Sequence, residues 1–261
     1  MERNIIVVQN VFDDLRDTEQ SIKSIRYAAH RWKSNFYEIT SFQFPNSPSN
    51  IFWDRLWACQ NFLEYDKVLI LDPDIVINSK CPNIFEELTS EFDLAVVLDG
   101  NPGRFENDPI KNGVVRYISE LHESVDIFQK NIPNFEKSRY RENYFNNGVF
   151  LYNPKKMYKT MEYIKELLFN NNKIHKFVDY SICGDTFPCQ NLFNAVISSS
   201  NLNVKQLDNK WNWLMPDVDL EYNENFFLSE QMIPWIYHFT GTPHSKNFLK
   251  TYTKWQTESI K

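Results

Sequence analysis

The segment KVLIL at 67–71 places the strongest constraint on how this chain folds. It is almost continuously apolar, and it runs directly into Asp72-Pro73-Asp74. A short apolar run that ends at turn residues is typical of a strand buried on both faces, as in a parallel sheet with helices on each side. The segment therefore predicts a central strand of a layered α/β fold.

Similar apolar runs alternate with segments of helical spacing along the rest of the chain. This alternation predicts an α/β fold with a central, mostly parallel sheet flanked by helices. Predicted strands lie at 4–9, 35–42, 67–71, 92–98, 144–152, 204–207 and 234–239, and predicted helices at 16–32, after a start signal at 47–50, and at 83–90, 114–129, 154–169 and 188–197.

Length and composition indicate one ordinary globular domain. A chain of 261 residues buries enough surface for a large core, and no Gly/Ser-rich or Pro-rich linker divides it. The formal net charge of −6 argues against a dedicated nucleic-acid binder, which usually carries a basic face. The four cysteines include no CxxC pair, which indicates buried thiols in a reducing compartment rather than zinc ligands or a disulfide framework.

Hydropathy gives an expectation about location. The apolar run at the N-terminus is too short for a signal peptide, and no stretch approaches the roughly 18 apolar residues of a transmembrane helix. We therefore expect a cytoplasmic protein without an integral membrane segment. The sequence is silent on oligomeric state.

The pair Asp72 and Asp74 is the sharpest chemical feature. Residues two apart in an extended segment project to the same side, so both carboxylates would point out from the carboxyl end of a central strand. Open α/β sheets bind ligands at that end, and paired carboxylates suit a hard divalent cation that in turn holds a diphosphate. The alternative is a plain polar turn, because Pro and Asp both favour turns.

Two further blocks carry polar groups next to apolar strands. In IYHFTGTPHSK at 236–246, His238 offers a nitrogen ligand that favours Mn²⁺ over Mg²⁺, and the loop with Gly241 and Lys246 suits phosphate oxygens. In YFNNGVFLYN at 144–153, two asparagines and a glycine offer hydrogen bonds and close backbone approach to a sugar. Each block is also compatible with an ordinary core histidine or an ordinary turn.

Together and in this order, the blocks resemble the GT-A glycosyltransferases, most closely the family-8-like group of glycogenin and bacterial galactosyltransferases. The resemblance extends from about residue 4 to 249. The matching blocks are WDRLWACQNFLEYDKVLILDPDIVI for an Arg-bearing helix, strand and DxD motif, FDLAVVLDG for the next strand, YFNNGVFLYN for FNxGV, CQNLFN for DQDxLN, DNKWNWL for a Trp-Asn segment and IYHFTGTPHSK for HFxGxxK.

The resemblance implies an enzyme of the GT-A fold and its organisation. It implies one domain over 1–261, with a nucleotide-binding half at about 1–100, an acceptor-side half at about 101–249 and a tail at 250–261. Its activity would be metal-dependent transfer of a sugar from a nucleoside-diphosphate donor to a glycan or other hydroxyl acceptor. UDP is the usual nucleotide of this family, and transfer proceeds with retention of configuration.

The resemblance also implies roles for individual positions. Lys246 would neutralise phosphate charge as the bond to the sugar breaks, and Gln190 would lie near the anomeric carbon. The implied metal ligands are Asp72, Asp74 and His238, with Mn²⁺ as the ion and Mg²⁺ as the alternative; the implied donor contacts are Asn10, Val11, Phe12, Arg55, Asp72, Asp99, Gly241 and Lys246; the implied sugar contacts are Asn146, Asn147 and Gln190; and the catalytic candidates are Gln190, Asp185 and Lys246.

The DQDxLN block departs from the family pattern. Cys189 and Asn191 stand where the family has aspartates, so we expect a carboxylate contact to be missing unless Asp185 supplies it. This departure leaves open a degenerate module that binds a nucleotide sugar without transferring it. An inverting enzyme would need a carboxylate base beside the acceptor, for which Asp179, Asp185 and Glu142 are candidates.

Two other enzyme classes share parts of the pattern. VLILDPDIV also fits the motif of haloacid-dehalogenase-like phosphatases, with Asp72 as nucleophile and Asp74 as acid and base, but the paired-Asp metal motif of that class is missing downstream. A sugar nucleotidyltransferase would need a Gly-rich, basic first loop, which QNVFDDLRD is not. His238 discriminates between the readings, because a divalent metal site uses it and the phosphatase does not.

Overall fold

The fold is taken from a computed structural model, which describes residues 2–10, 18–41, 43, 50–98, 125–175, 188–214 and 234–238. Its strands are β1 (Asn4–Gln9), β2 (Asn35–Ile39), β3 (Lys67–Leu71), β4 (Ile75–Ile77), β5 (Leu94–Leu98), β6 (Phe145–Tyr152), β7 (Val204–Gln206), β8 (Trp213–Leu214) and β9 (Ile236–His238). Its labelled helices are α1 (Thr18–Arg31), α2 (Asn50–Asn61), α3 (Lys137–Glu142), α4 (Pro154–Asn170) and α5 (Pro188–Ser198). Residues 125–131 and 172–175 are also helical, and short 3₁₀ turns lie at Ile84–Glu87 and Asn209–Trp211.

Six of the strands form the central sheet, in the order β2-β1-β3-β6-β5-β7. β1 runs parallel to β2 and β3, and β5 runs parallel to β7, whereas β6 is antiparallel to both of its neighbours. The mostly parallel α/β sheet that the sequence predicted is therefore confirmed. Because β6 runs the opposite way, the start of β6 lies at the same edge as the carboxyl end of β3, where Leu71 is paired with Val149.

Both faces of the central sheet are buried, as the apolar run at 67–71 predicted. Along β3, Val68 and Ile70 belong to one core cluster, and Leu69 and Leu71 belong to the other. The first cluster includes Leu56 of α2 with residues of α4 and α5. The second includes Ile25 of α1 with residues of β4 and β9. This alternation follows from the two-residue period of a strand covered on both sides.

The other three strands form a small separate sheet in the order β4-β9-β8. Pro73 has no backbone N–H and cannot continue the ladder of β3, so the chain leaves the central sheet directly after Asp72. It then forms β4, which pairs antiparallel with β9 so that Ile75 lies opposite His238. The sequence predicted a strand at 234–239 but not this second sheet.

Other predicted elements differ in extent. The predicted helix at 83–90 is wrong except for one 3₁₀ turn at Ile84–Glu87, where the side chain of Asn83 accepts from the N–H of Phe85. The ammonium group of Lys67 donates to the carbonyl of Phe85 at 2.9 Å, which takes an acceptor that a continuing helix would use. Of the predicted helix at 114–129, residues 114–124 lie outside the described part of the chain.

The expectations about cysteines and membrane-spanning helices can be compared with the described residues. Cys59 and Cys81 are buried thiols, as expected. Within the described ranges, no helix has the length and apolarity needed to cross a membrane. The division of the chain into a nucleotide-binding half, an acceptor-side half and a tail stays a prediction.

Asp54 on α2 joins two segments at the carboxyl edge of the central sheet. It is fully buried, and its carboxylate accepts hydrogen bonds from Nε2 of Gln9 at 3.2 Å and from the N–H of Gln43 at 2.7 Å. Burial raises the pKa of Asp54, and the two hydrogen bonds oppose that shift only in part. The folded chain therefore holds this proton more tightly than the unfolded chain does.

This raised pKa predicts how stability changes with pH. Above the ordinary pKa of about 4, the unfolded chain releases the proton first, so the contribution of Asp54 to stability falls as pH rises through the folded pKa. We expect the free energy of unfolding of Asp54→Asn, relative to wild type, to increase from acid to neutral pH in urea titrations. A relative stability that stays constant or decreases over that range would contradict the prediction.

Candidate active site

Asp72, Asp74 and His238 converge at the carboxyl edge of the central sheet. Each offers one ligand atom, and these atoms lie within 4.8 Å of one another. Nε2 of His238 is 3.5 Å from Oδ2 of Asp72 and 3.2 Å from Oδ1 of Asp74. His238 is buried, and the two carboxylates are partly exposed. The structure therefore brings together the three residues that the sequence analysis assigned to a metal.

The local fold explains why these three residues meet. Asp72 follows the last residue of β3, and Asp74 precedes the first residue of β4. His238 is the last residue of β9 and lies opposite Ile75 of β4. The turn at Pro73 thus moves the chain from the central sheet to the small sheet, and the small sheet brings the histidine to the carboxylates.

Arg55 of α2 holds one oxygen of Asp72. Its Nη2 donates to Oδ1 of Asp72 in a partly buried ion pair. Because Oδ1 is taken by the guanidinium, Oδ2 is the oxygen that faces His238. The implied position of Arg55 beside the first aspartate of the motif is thus the position it has in this structure.

The donor set fits a divalent cation. Oδ1 of Asp74 is buried, and no described residue makes a hydrogen bond to it, which is costly for a carboxylate oxygen. Two carboxylate oxygens and an imidazole nitrogen suit Mn²⁺. Neighbouring ligands of an octahedral ion with bonds of about 2.1 Å lie about 3.0 Å apart, and the separations of 3.2 and 3.5 Å are close to this spacing.

Gly148 makes room for the His238 ring. The N–H of Asp72 donates to the carbonyl of Gly148 at 3.0 Å, which brings the start of β6 against the turn at Pro73. A Cβ atom at position 148 would overlap Cε1 of His238 and lie 2.6 Å from its Nδ1. Only a residue without a side chain therefore leaves space for the imidazole here.

A second polar group surrounds Gln190 at the start of α5. Oε1 of Gln190 accepts from the N–H of Asn147 at 3.1 Å, and its Nε2 donates to the hydroxyl of Tyr144 at 3.1 Å. The Tyr144 hydroxyl in turn donates to Oδ1 of Asn191 at 2.6 Å. All four residues are buried, so the amide of Gln190 is held in one orientation.

This group gives the departure at Asn191 a structural role. Asn191 is 2% exposed, and its side-chain oxygen accepts the Tyr144 hydroxyl inside the protein. A neutral amide suits that position, since a buried carboxylate would carry an uncompensated charge. The side chain of Cys189 lies outside the described part of the structure.

The two asparagines of the NNG segment differ in their contacts. Oδ1 of Asn146 accepts from the N–H of Gly148 at 2.8 Å and from Nδ2 of Asn212 at 3.0 Å. Asn147 is 2% exposed, and no described residue bonds to either polar atom of its amide. A buried amide without a partner needs one, and a ligand hydroxyl has the right chemistry.

Asn10 follows β1 at the same sheet edge. Its Nδ2 donates to Oε1 of Glu38 at 2.7 Å, and its Oδ1 accepts from the hydroxyl of Thr18 at 3.3 Å. Its amide therefore ties the end of β1 to β2 and α1. The remaining predicted site residues lie outside the described ranges, namely Val11, Phe12, Asp99, Asp185, Gly241 and Lys246.

Sequence reasoning missed two residues of this region. Asn212 accepts a hydrogen bond from His238, and Tyr144 accepts one from Gln190. Asn212 lies within the block DNKWNWL and Tyr144 within the block YFNNGVFLYN, but neither was assigned a role. The residue types alone gave no signal of their partners, which come from distant parts of the chain.

Comparisons with known proteins agree with this geometry. The sequence model described as glycosyl transferase family 8 matches residues 5–251. A search of curated proteins gave no match. Among solved structures, the chain is similar to a glycosyltransferase involved in glycosylation of the major capsid of PBCV-1, with a TM-score of 0.57, 11% identity, and coverage of 97% of this chain and 99% of that one.

Two further structures share the fold. The galactosyltransferase LgtC, solved in complex with donor and acceptor sugar analogs, has a TM-score of 0.57 and 14% identity, with coverage of 98% and 96%. Mouse xyloside xylosyltransferase 1 has a TM-score of 0.51 and 12% identity, with coverage of 92% and 98%. Identities this low support the fold alone, which is the GT-A type. The family match covers nearly the whole sequence, and the chain belongs to glycosyl transferase family 8.

Proposed function

We propose that this chain is a metal-dependent glycosyltransferase that uses a nucleoside-diphosphate sugar, with UDP as the nucleotide, and a hydroxyl acceptor. The observation that carries the proposal is the convergence of Asp72, Asp74 and His238 within 4.8 Å at the carboxyl edge of the sheet. Open α/β sheets bind ligands at that edge. Mn²⁺ is the proposed ion, with Mg²⁺ as the alternative, and the cytoplasm is the proposed location.

In this proposal the two aspartates and the histidine hold the ion and its bound diphosphate. When bound, the ion would supply positive charge that stabilises the departing nucleoside diphosphate. Arg55 fixes Asp72 so that its second oxygen faces the ion. Lys246 and the backbone near Gly241 neutralise phosphate oxygens, and Asn10, Val11 and Phe12 line the nucleoside pocket.

The proposed sugar site lies around the NNG segment and α5. The side-chain amide of Asn147, to which no residue of the described ranges bonds, supports this placement, because a sugar hydroxyl can both donate to it and accept from it. Asn146 offers its Nδ2, since both described bonds of its side chain are made by Oδ1. Asp99 completes the sugar contacts, and the acceptor is a glycan or another hydroxyl compound.

We propose transfer with retention, by attack on the same face of the sugar with assistance from the leaving phosphate. Gln190 lies beside the anomeric carbon in this proposal, and an amide is a poor nucleophile for double displacement. Asp185 remains a candidate to replace the carboxylate that the family has at position 189. Electrostatic stabilisation of the leaving group then supplies most of the rate enhancement.

Family membership and the GT-A fold argue against the phosphatase alternative. The degenerate-module alternative predicts nucleotide binding without transfer. Incubation of the enzyme with a nucleotide sugar, Mn²⁺ and a panel of hydroxyl acceptors tests it, and release of nucleoside diphosphate with formation of a glycosylated product would exclude it.

Removal of the metal should abolish nucleotide binding. At 100 times Kd a ligand stabilises the folded state by about 2.7 kcal/mol, which raises the Tm of a domain this size by about 5–10 °C. We expect UDP or a UDP-sugar with Mn²⁺ to give this shift in thermal unfolding, and EDTA or His238→Ala to remove it. His30→Ala, at the exposed end of α1, is the matched control and should retain the shift. A shift unaffected by EDTA would refute the metal dependence.

Gly148→Ala should damage the metal site. The added methyl group overlaps the His238 ring, so the imidazole or β6 must shift from the arrangement that places Nε2 beside the two carboxylates. We expect Mn²⁺ affinity to fall at least tenfold and the free energy of unfolding to fall by about 1–3 kcal/mol. Val149→Ala is the control, because Val149 belongs to the neighbouring apolar core and its truncation adds no atom beside the ring. Equal Mn²⁺ affinities for Gly148→Ala and Val149→Ala would contradict this prediction.

Tyr144→Phe should affect turnover through Gln190. Loss of the hydroxyl leaves Nε2 of Gln190 and Oδ1 of Asn191 each without this partner, which costs about 1–3 kcal/mol of stability. We expect kcat to fall about tenfold with KM for the donor changed less, because the metal ligands are not involved. Tyr152→Phe, at the far end of β6, is the control. A normal kcat in Tyr144→Phe would contradict the prediction that turnover depends on a fixed orientation of the Gln190 amide.

A further inference from the structure

We propose that Asn212 is a positioning residue of the metal site, which fixes His238 with Nε2 turned to the ion as a lone-pair donor. A chain of hydrogen bonds runs from a backbone amide to the imidazole ring and determines which ring nitrogen carries the hydrogen. The inference rests on the metal site of the proposed function and adds a residue to which no role at the metal has so far been given.

The chain of hydrogen bonds begins at a backbone N–H, which acts only as a donor. The backbone N–H of Gly148 can only donate, and it lies 2.8 Å from a side-chain atom of Asn146. That atom must therefore be the amide oxygen of Asn146. The same oxygen lies 3.0 Å from a side-chain atom of Asn212, which must then be the NH₂ group. These two contacts fix the orientation of the Asn212 amide.

The orientation of Asn212 then fixes the imidazole. With its NH₂ group turned to Asn146, the oxygen of Asn212 faces Nδ1 of His238 at 3.0 Å. An amide oxygen accepts, so Nδ1 carries the hydrogen and donates it. In a neutral imidazole the other nitrogen, Nε2, then carries the lone pair. Nε2 is the atom that lies 3.2 Å from Asp74 and 3.5 Å from Asp72.

Burial makes this arrangement rigid. Asn212 is 0% exposed and His238 is 2% exposed, so water does not compete for the bond between them. Gly148 packs against the ring on one side, since a Cβ there would lie 2.6 Å from Nδ1. Histidine ligands generally donate their second N–H to an acceptor that orients the ring, and loss of that acceptor typically lowers metal affinity 10–100-fold.

The experiment measures Mn²⁺ binding to the full chain without nucleotide, from the EPR signal of free Mn²⁺. We expect Asn212→Leu to lower Mn²⁺ affinity 10–100-fold, because Nδ1 loses its acceptor and the imidazole can turn Nε2–H toward the aspartates. Asn212→Asp keeps an oxygen facing Nδ1 and should bind Mn²⁺ within about threefold of wild type, although it repels the oxygen of Asn146. This rescue separates an acceptor role from a packing role.

The matched control is Asn78→Leu. Asn78 is a buried asparagine that follows β4, and its side chain bonds to the carbonyl of Pro234 and the N–H of Lys80, away from His238. Its replacement should lower the Tm of the protein without a change in Mn²⁺ affinity. If Asn78→Leu and Asn212→Leu lower the affinity equally, Asn212 acts only by packing and the inference is wrong.

A spectroscopic readout tests the arrangement directly. Long-range ¹H–¹⁵N spectra of the metal-free protein report which imidazole nitrogen carries hydrogen before an ion is bound, and His238→Gln identifies the signal. We expect Nδ1–H in wild type and Asn212→Asp. Hydrogen on Nε2 in wild type would overturn the inference, and this measurement remains decisive if Asn212→Leu does not fold.

The outcomes also separate this inference from the proposed function. If wild type binds no Mn²⁺ and gives no nucleotide-dependent shift with it, the metal site itself is wrong. If wild type binds Mn²⁺ and Asn212→Leu binds it equally well, the metal site stands and the role of Asn212 is refuted.

Discussion

The contact between Asp72 and Gly148 is the constraint on which the site depends. It joins the end of β3 to the start of β6 through one backbone hydrogen bond, at the position where Pro73 ends the ladder. The absence of a side chain at 148 lets β9 bring His238 within reach of both aspartates. A single close approach therefore orders the strand end, the turn and the imidazole at once.

Charge at this junction is only partly balanced within the described residues. Arg55 pairs with one oxygen of Asp72, whose carboxylate is partly exposed, but Asp74 has an oxygen that no described residue satisfies. Two carboxylates beside a buried imidazole would be expensive to maintain without a further cation. The local electrostatics thus favour a site that binds a positive ion over one that acts through the carboxylates alone.

Local pattern was sufficient for the strands of the central sheet and for several helices, but not for α3, β4 and β8. The apolar period identified β3, and the strand-ending Asp72-Pro73-Asp74 pointed to a ligand site because chain direction follows from a parallel sheet. The reversed direction of β6 and the separate sheet of β4, β8 and β9 were not predicted, since pairing between remote segments has no local period. For the same reason Asn191 was interpreted as a lost carboxylate, whereas its partner, Tyr144, gives an amide a purpose there.

The two polar networks of the site begin at adjacent residues of β6. Asn146 starts the line through Asn212 to His238, and the backbone N–H of Asn147 holds Gln190. Successive residues of a strand point to opposite faces, so the two side chains serve different neighbours although their backbones are continuous. One short segment can in this way keep a metal ligand and a buried amide in a fixed relation, because any shift of the strand moves both networks together. The NNG segment is therefore the element that couples the position of the His238 ring to that of the Gln190 amide.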